Sequence, residues 1–365
     1  MSISNYQANG QLATPLTRRA IVRAGGVGLV AVSVGARPAV AAVHDDDDYG
    51  TPEPGSAGKV TIYSGRNEEL IGPLFAACAA TTGITPSIRY GETAELAATI
   101  LEEGDNSPAD LYVAQDAGAL GALARENRFQ ELPEELLALV DARFRSPDGT
   151  WIGITGRARV AIYNTDTLSA TDLPPSVLDF AGSEWRGKLG WAPTNGSFQA
   201  FVTALRLIEG DDAARDWLNA MLANEPVTFD GNGAIVRAVA DGEIVAGLVN
   251  HYYLYEIQAE EGSDLPIANH FFAAGDVGSL VNVAGAGVLE GAANATQALA
   301  TIECLLQPDA QRTFAETTFE YPLINDVPAA AELPPLADIE SPELDLSDLS
   351  DLQGTLSLLA EVGVL

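Results

Sequence analysis

From Gly58 to Glu126 the chain alternates short β-branched runs with helical stretches three times, and this alternation limits the fold more than any other feature of the sequence. Val60-Thr61-Ile62-Tyr63 reads as a strand, Ser64-Gly65-Arg66 as a turn, and Glu68 to Ala80 as a helix whose first-turn acids suit the positive end of the helix dipole. Ile84 to Tyr90 and Asp110 to Val113 repeat the strand pattern, and the stretches Glu95 to Glu103 and Gly118 to Glu126 repeat the helix. Strands alternating with helices make a sheet covered on both faces, so the expected class is α/β with mostly parallel strands. Further on, Arg159 to Tyr163, Lys188 to Trp191 and Ile244 to Val249 read as strands and Gln199 to Ile208 as a helix, so a second α/β unit begins near residue 158. No short period recurs, which excludes a solenoid.

Open α/β sheets bind ligands in the loops at the carboxyl ends of their strands. The layout offers Ser64 to Asn67, Gly91 to Thr93, Ala114 to Asp116, Thr194 to Ser197 and Asn250 to Tyr253. The last lies in "VNHYYLYE", which gathers one of the chain's 3 histidines and three tyrosines. Neighbouring residues of a strand face opposite sides, so on periodicity alone one of Tyr252 and Tyr253 packs and one is exposed. "PTNGSF" reads equally as a glycine turn into an N-capped helix and as an anion cradle. Asp116 reads equally as a helix cap and as a metal-facing carboxylate. The sequence has no G-x-S-x-G elbow, no P-loop and no H-E-x-x-H, and no catalytic activity is expected.

A net charge of −32 excludes the basic footprint that nucleic acids and anionic membranes require. With only Lys59 and Lys188 as lysines and the acids spread along the chain, the charge suits molar salt, where the Debye length is about 3 Å. A halophilic, haloarchaeal source is expected. Thr17-Arg18-Arg19, an uncharged run from Ala24 to Ala36 and Ala39-Val40-Ala41 have the order of a twin-arginine export signal. The run is shorter than the roughly 20 residues a bilayer span needs. Residues 1–42 are therefore expected to be the signal, and 43–57, with His44 beside four aspartates and a Pro/Gly stretch, a solvated linker. Cys78 and Cys304 sit in apolar helical patterns far apart, and two buried free thiols are expected.

The segments "VTIYSGRNEELIGPLF", "SPADLYVAQDAGAL", "GRARVAIYNTDTL", "WAPTNGSFQAFVTAL", "AVADGEIVAGLVNHYYLYE" and "TFEYPL" resemble the ferric-iron-binding proteins of ABC importers. The likeness covers nearly all of residues 58 to 365. It implies a type II periplasmic-binding fold: two lobes, each a mixed, mostly parallel sheet flanked by helices, with the ligand cleft between them. We expect 58–157 plus 281–330 as lobe 1 and 158–280 plus 331–365 as lobe 2. The resemblance also implies that Tyr252 and Tyr253 bind Fe(III) through phenolate oxygens. Phosphate or carbonate would complete the site, held by Asn195, Gly196 and Ser197 with Asn232 and Asn250 alongside. Arg66 in the first loop is expected to grip that anion in a bidentate manner.

The residue types suit the ion. Fe(III) is hard, and anionic oxygen donors suit it better than thiolates or neutral imidazoles. A multivalent cation can ionise a phenol whose free pKa is near 10. The pattern departs from the family at Asn67 and Gln115, where some relatives carry histidine and glutamate. Candidates for the remaining positions are Asp116, Glu92, Gln115, Tyr63 and His251. The expected product is a monomeric extracytoplasmic solute-binding protein, secreted by the twin-arginine route to the cell surface or exterior, that closes on Fe(III) and serves a membrane permease. It would touch the membrane only through that permease or an uncleaved N-terminus. The alternatives are the same fold holding an oxyanion, thiamine or a polyamine, and a secreted metalloenzyme.

Overall fold

Two sheets share one long strand, and the cleft lies where that strand passes from one to the other. The computed structural model describes residues 58–365, so the expected signal and linker lie outside the described residues. In chain order the first lobe opens with β1 (Lys59–Ser64), α1 (Glu68–Thr82), β2 (Thr85–Tyr90), α2 (Thr93–Glu103), β3 (Leu111–Ala114), α3 (Ala117–Arg125) and the short α4 (Glu134–Leu137). The start of α1 is fixed by Asn67, whose Oδ1 accepts from the Leu70 amide at 3.0 Å. Its end is fixed by Gly83, whose φ of +74° is the left-handed conformation that terminates helices. β1 pairs in parallel with β2 on one side and β3 on the other, the arrangement that strand-helix-strand units produce.

β4 (Ile152–Asn164) is buried along all 13 residues. It is followed by β5 (Leu189–Trp191), α5 (Gly196–Glu209), α6 (Asp211–Ala223), β6 (Val227–Thr228), α7 (Asn232–Ala240), β7 (Ala246–Asn250), α8 (Tyr253–Glu261) and β8 (Ile267–His270). The chain closes with β9 (Val281–Val288), α9 (Ala295–Leu305), α10 (Pro308–Thr317), β10 (Tyr321–Pro322) and α11 (Leu352–Glu361). Ile152 to Ala158 of β4 pair antiparallel with β9, which joins them to β3 and the first sheet. From Arg159 onward the same strand pairs antiparallel with β7 and β8, while β5 pairs in parallel with β7 and β6 to complete the second sheet. Ala158 and Arg159 therefore mark one crossing between lobes. Leu280, whose carbonyl accepts from the Arg159 amide at 2.9 Å, marks another.

A third crossing is made by the C-terminal segment, which the sequence reading assigns to lobe 2 as a whole. The turn Leu346–Ser350 packs on α3 of the first lobe so closely that a Cβ on Gly121 would collide with the Ser347 carbonyl. α11 then packs on α5 of the second lobe, where Thr355 and Thr203 share a buried hydroxyl contact of 2.7 Å.

The expectation of free thiols is corrected. α1 and α9 lie side by side, which brings the Cα atoms of Cys78 and Cys304 to 5.8 Å, and the two residues form a disulfide across 226 positions of sequence. Periodicity showed each helix but carried nothing about their pairing.

Candidate functional site

The cleft between the lobes encloses about 890 Å³. Its second-lobe floor is built from the carboxyl ends of β5 and β7, as the strand-end rule describes, and from the middle of β4, where Arg159 pairs with Asn250 at the end of the antiparallel β7. β7 ends at Asn250 and the chain turns into helix at once, with Tyr252 already at φ −72°, ψ −22°. The strand reading that set Tyr252 and Tyr253 on opposite faces is thereby corrected. Successive residues on a helix are about 100° apart, and both phenols line the cleft, their rings stacked at 4.3 Å between centroids. Tyr252 is 9% exposed, and burial first, then the neighbouring Tyr253, pushes its phenol well above the usual range.

Three of the expected anion-binding side chains, Asn195, Ser197 and Asn250, line the cleft with the tyrosines and with Gly196, the first residue of α5, while Asn232 bonds to Asn195 and Ser197 without itself lining the cleft. Asn195 caps α5, its Oδ1 accepting from the Ser197 amide at 3.0 Å and the Ser197 hydroxyl at 2.5 Å. Asn232 donates to the Ser197 oxygen at 3.0 Å. The cation at this point is Arg159, which the sequence reading did not single out. Its Nη1 donates to Ser197 Oγ and Asn250 Oδ1, both at 3.1 Å. No carboxylate lies within ion-pair distance of it among the described residues. Burial lowers its pKa to about 10, which leaves it a cation at neutral pH. Arg157, two residues earlier on the same face of β4, also lines the cleft and donates to the Gln115 carbonyl. Two arginines in a strand otherwise buried and apolar are the signal that could have found them, because a buried guanidinium demands a partner.

Three expected residues are corrected. Arg66 does not reach the cleft: it is 1% exposed and committed to Glu320, with Nη2 to Oε2 at 2.7 Å and Nη1 to Oε1 at 3.2 Å, and to Thr155 at 3.0 Å. Tyr63 donates to Glu103 at 3.0 Å and is not among the residues lining the cleft. His251 has both ring nitrogens engaged, Nδ1 accepting from the Ala158 amide at 3.1 Å and Nε2 donating to the Phe319 carbonyl at 2.7 Å. Burial pushes its pKa down to about 4, and the neutral ring has no lone pair left for a metal.

Gln115 and Asp116 both line the cleft from the first lobe. Gln115 Oε1 is buried without a hydrogen-bond partner. Asp116 is the N-cap of α3, accepting from the Ala119 amide at 3.2 Å, and burial raises its carboxyl pKa. The two readings of Asp116 are therefore not exclusive. Asn67 is spent as the cap of α1. Among the described residues no three His, Cys, Asp or Glu side chains converge as a metal site, so a metal bound here would depend on phenol oxygens.

Two α/β lobes on a shared strand, with a large cleft where the strand crosses, define a two-lobe solute-binding protein of the type II periplasmic-binding fold. The sequence pattern of the bacterial extracellular solute-binding proteins matches residues 106–345, and the chain belongs to this family. It is 32% identical over 308 residues to the Fe(3+)-binding periplasmic protein of Serratia marcescens, covering 84% of this chain and 90% of that protein. Among solved structures, iron-bound HitA from Pseudomonas aeruginosa superposes with a TM-score of 0.77 at 34% identity, covering 84% of this chain and 99% of that one. The Trichodesmium protein IdiA (FutA), in complex with iron and citrate ligands, superposes with a TM-score of 0.74 at 29% identity, covering 84% and 99%. No helix among the described residues is long and apolar enough to cross a membrane.

Proposed function

We propose that this protein captures Fe(III) together with a small anion between its lobes outside the cytoplasm and delivers the ion to an ABC permease. The observation that carries the reading is the stacked pair Tyr252 and Tyr253 beside Arg159, a buried cation facing no carboxylate. A trivalent ion, two phenolates, a divalent anion such as carbonate or hydrogen phosphate, and the Arg159 guanidinium sum to neutrality, as a desolvated site requires, and the neighbouring Arg157 and Asp116 offset one another. The anion bridges the ion and the Arg159, Ser197, Asn195, Asn250 and Asn232 cluster at the start of α5, where helix amides favour negative charge. Gln115 Oε1, Asp116 and Glu92 are first-lobe oxygens available to the ion as the lobes close. An arginine in the cleft opposes thiamine or a polyamine, both cationic. The Cys78–Cys304 disulfide suits the oxidising compartment that twin-arginine export would reach, and the charge of −32 suits a salt-rich one.

The test is a visible absorption titration of the mature protein in molar salt with ferric citrate, repeated at several phosphate and carbonate concentrations. A phenolate-to-iron band that saturates at one iron per protein and disappears in Tyr252→Phe and Tyr253→Phe is the expected result. Absence of the band, with tight binding of an oxyanion alone, would replace iron by that oxyanion as the cargo.

A further inference from the structure

His251 is wholly buried, and each of its four polar groups is used. Its amide donates to the Ala158 carbonyl at 3.0 Å and its carbonyl accepts from Asn269 Nδ2 at 2.8 Å. Its Nδ1 accepts from the Ala158 amide, and its Nε2 donates to the Phe319 carbonyl. An amide can only donate and a carbonyl can only accept, so the tautomer is fixed with the proton on Nε2.

The partners lie on separate parts of the molecule. Ala158 is the last residue of β4 in the first sheet, at the crossing. Phe319 lies between α10 and β10 in the first lobe and holds a φ of +54°, a conformation that a bulky residue keeps only when its surroundings enforce it. The Phe319 ring stacks on Tyr255 of α8 at 5.2 Å, and the His251 ring packs on Tyr321 at 4.7 Å and edge-on to Tyr252 at 5.8 Å. One imidazole thus ties the turn that carries the tyrosine pair to the crossing strand and to the opposite lobe.

We propose that His251 is a positioning residue that holds the Tyr252–Tyr253 turn in its iron-binding geometry by bonding it at once to Ala158 of the crossing strand and to Phe319 of the first lobe. The role rests on the iron-binding reading, and it requires that the imidazole never touch the ion. Outer residues that orient metal ligands commonly change affinity about 10–100-fold when replaced.

The test uses the full mature protein. His251→Phe keeps a ring but leaves the Ala158 amide and the Phe319 carbonyl without partners. His251→Asn places an acceptor near Nδ1 and so restores the Ala158 bond alone, and His251→Gln places a donor near Nε2 and restores the Phe319 bond alone. For each variant the ferric charge-transfer maximum, the iron dissociation rate and the midpoint of thermal unfolding are measured. The expected result is a displaced maximum and about tenfold or faster iron loss in His251→Phe, with each amide variant intermediate. An unchanged maximum and iron dissociation rate in folded His251→Asn and His251→Gln would overturn the proposal, whatever the stability of His251→Phe. Absence of the band from the wild-type protein would instead remove the iron reading itself.

Discussion

Arg159 Nη1 donates to the side-chain oxygen of Asn250 at 3.1 Å, joining a cation of the cleft to the residue that ends β7 immediately before the histidine-tyrosine turn. Removal of that cation should uncouple iron binding from its anion. In Arg159→Gln the dependence of iron affinity on phosphate or carbonate is expected to vanish, and the affinity at saturating anion to fall about 10–100-fold, the worth of one charged hydrogen bond. Arg159→Lys keeps the charge without the planar fork and should lie between the two. Ferric titrations at fixed pH over a range of anion concentrations measure this, and an undiminished anion response in Arg159→Gln would take Arg159 out of the site.

The phenols set a second expectation. Burial holds the Tyr252 phenol above its ordinary pKa, so iron must displace a proton to gain that ligand. Capture is therefore expected to release about one proton per coordinating phenol and to strengthen with rising pH at constant ferric ion activity. Calorimetry in buffers of different ionisation enthalpy counts those protons. Tyr252→Phe and Tyr253→Phe should each release one fewer while retaining the fold, since only a hydroxyl is lost from a ring of constant volume. Equal release in both variants and the wild-type protein would contradict phenolate ligation.

Much of this arrangement was legible in the chain itself, and the failures have physical causes. The alternation from Val60 to Glu126 gave three strands and three helices because their burial follows simple periods. β4 hides its direction because it is buried on both faces, and although two arginines in so apolar a strand signal a buried demand for partners, nothing local says that Arg157 and Arg159 face the cleft. Arg66 looked free in its loop because its counter-charge, Glu320, lies 254 residues away. The tyrosine pair was found as a pair, but its shared orientation depends on the chain turning helical at Tyr252, a boundary one residue wide. The Pro- and acid-rich stretch after Leu333 has no periodicity, and its crossing from α3 to α5 is tertiary packing alone.

The disulfide gives a prediction separable from the cleft. Cys78 and Cys304 tie α1 to α9 within the first lobe, and neither residue lines the cleft. Reduction, or the double substitution Cys78→Ala with Cys304→Ala, is expected to cost about 2–5 kcal/mol of stability, since the crosslink closes a long loop in the unfolded chain. Iron affinity should be unchanged in protein that remains folded. Denaturant unfolding with and without reductant measures the first, and a ferric titration of the reduced protein the second. Loss of iron binding at full retention of structure would show that α1 and α9 communicate with the site.

Glu256, one turn along α8 from the tyrosines, supplies the pH dependence. Burial first, then the charges of Glu320 and Glu260, push its carboxyl up to about 7. The folded state therefore binds a proton that the unfolded state, at about 4.3, has already lost through most of this range. The stabilisation is fully present below pH 4.3 and is lost as pH rises through 7. Above that, the native protein carries an ionised carboxylate in partly buried surroundings beside like charge. Glu256→Gln, which is neutral at every pH, should unfold at a higher temperature than the wild-type protein at pH 8 and at nearly the same temperature at pH 4, in molar salt throughout. The difference between variant and wild type isolates this one group from the many other carboxylates, which titrate alike in both. A difference that stays constant between pH 4 and pH 8 would mean that the Glu256 carboxyl titrates alike in the folded and unfolded chains, and that folding does not raise its pKa.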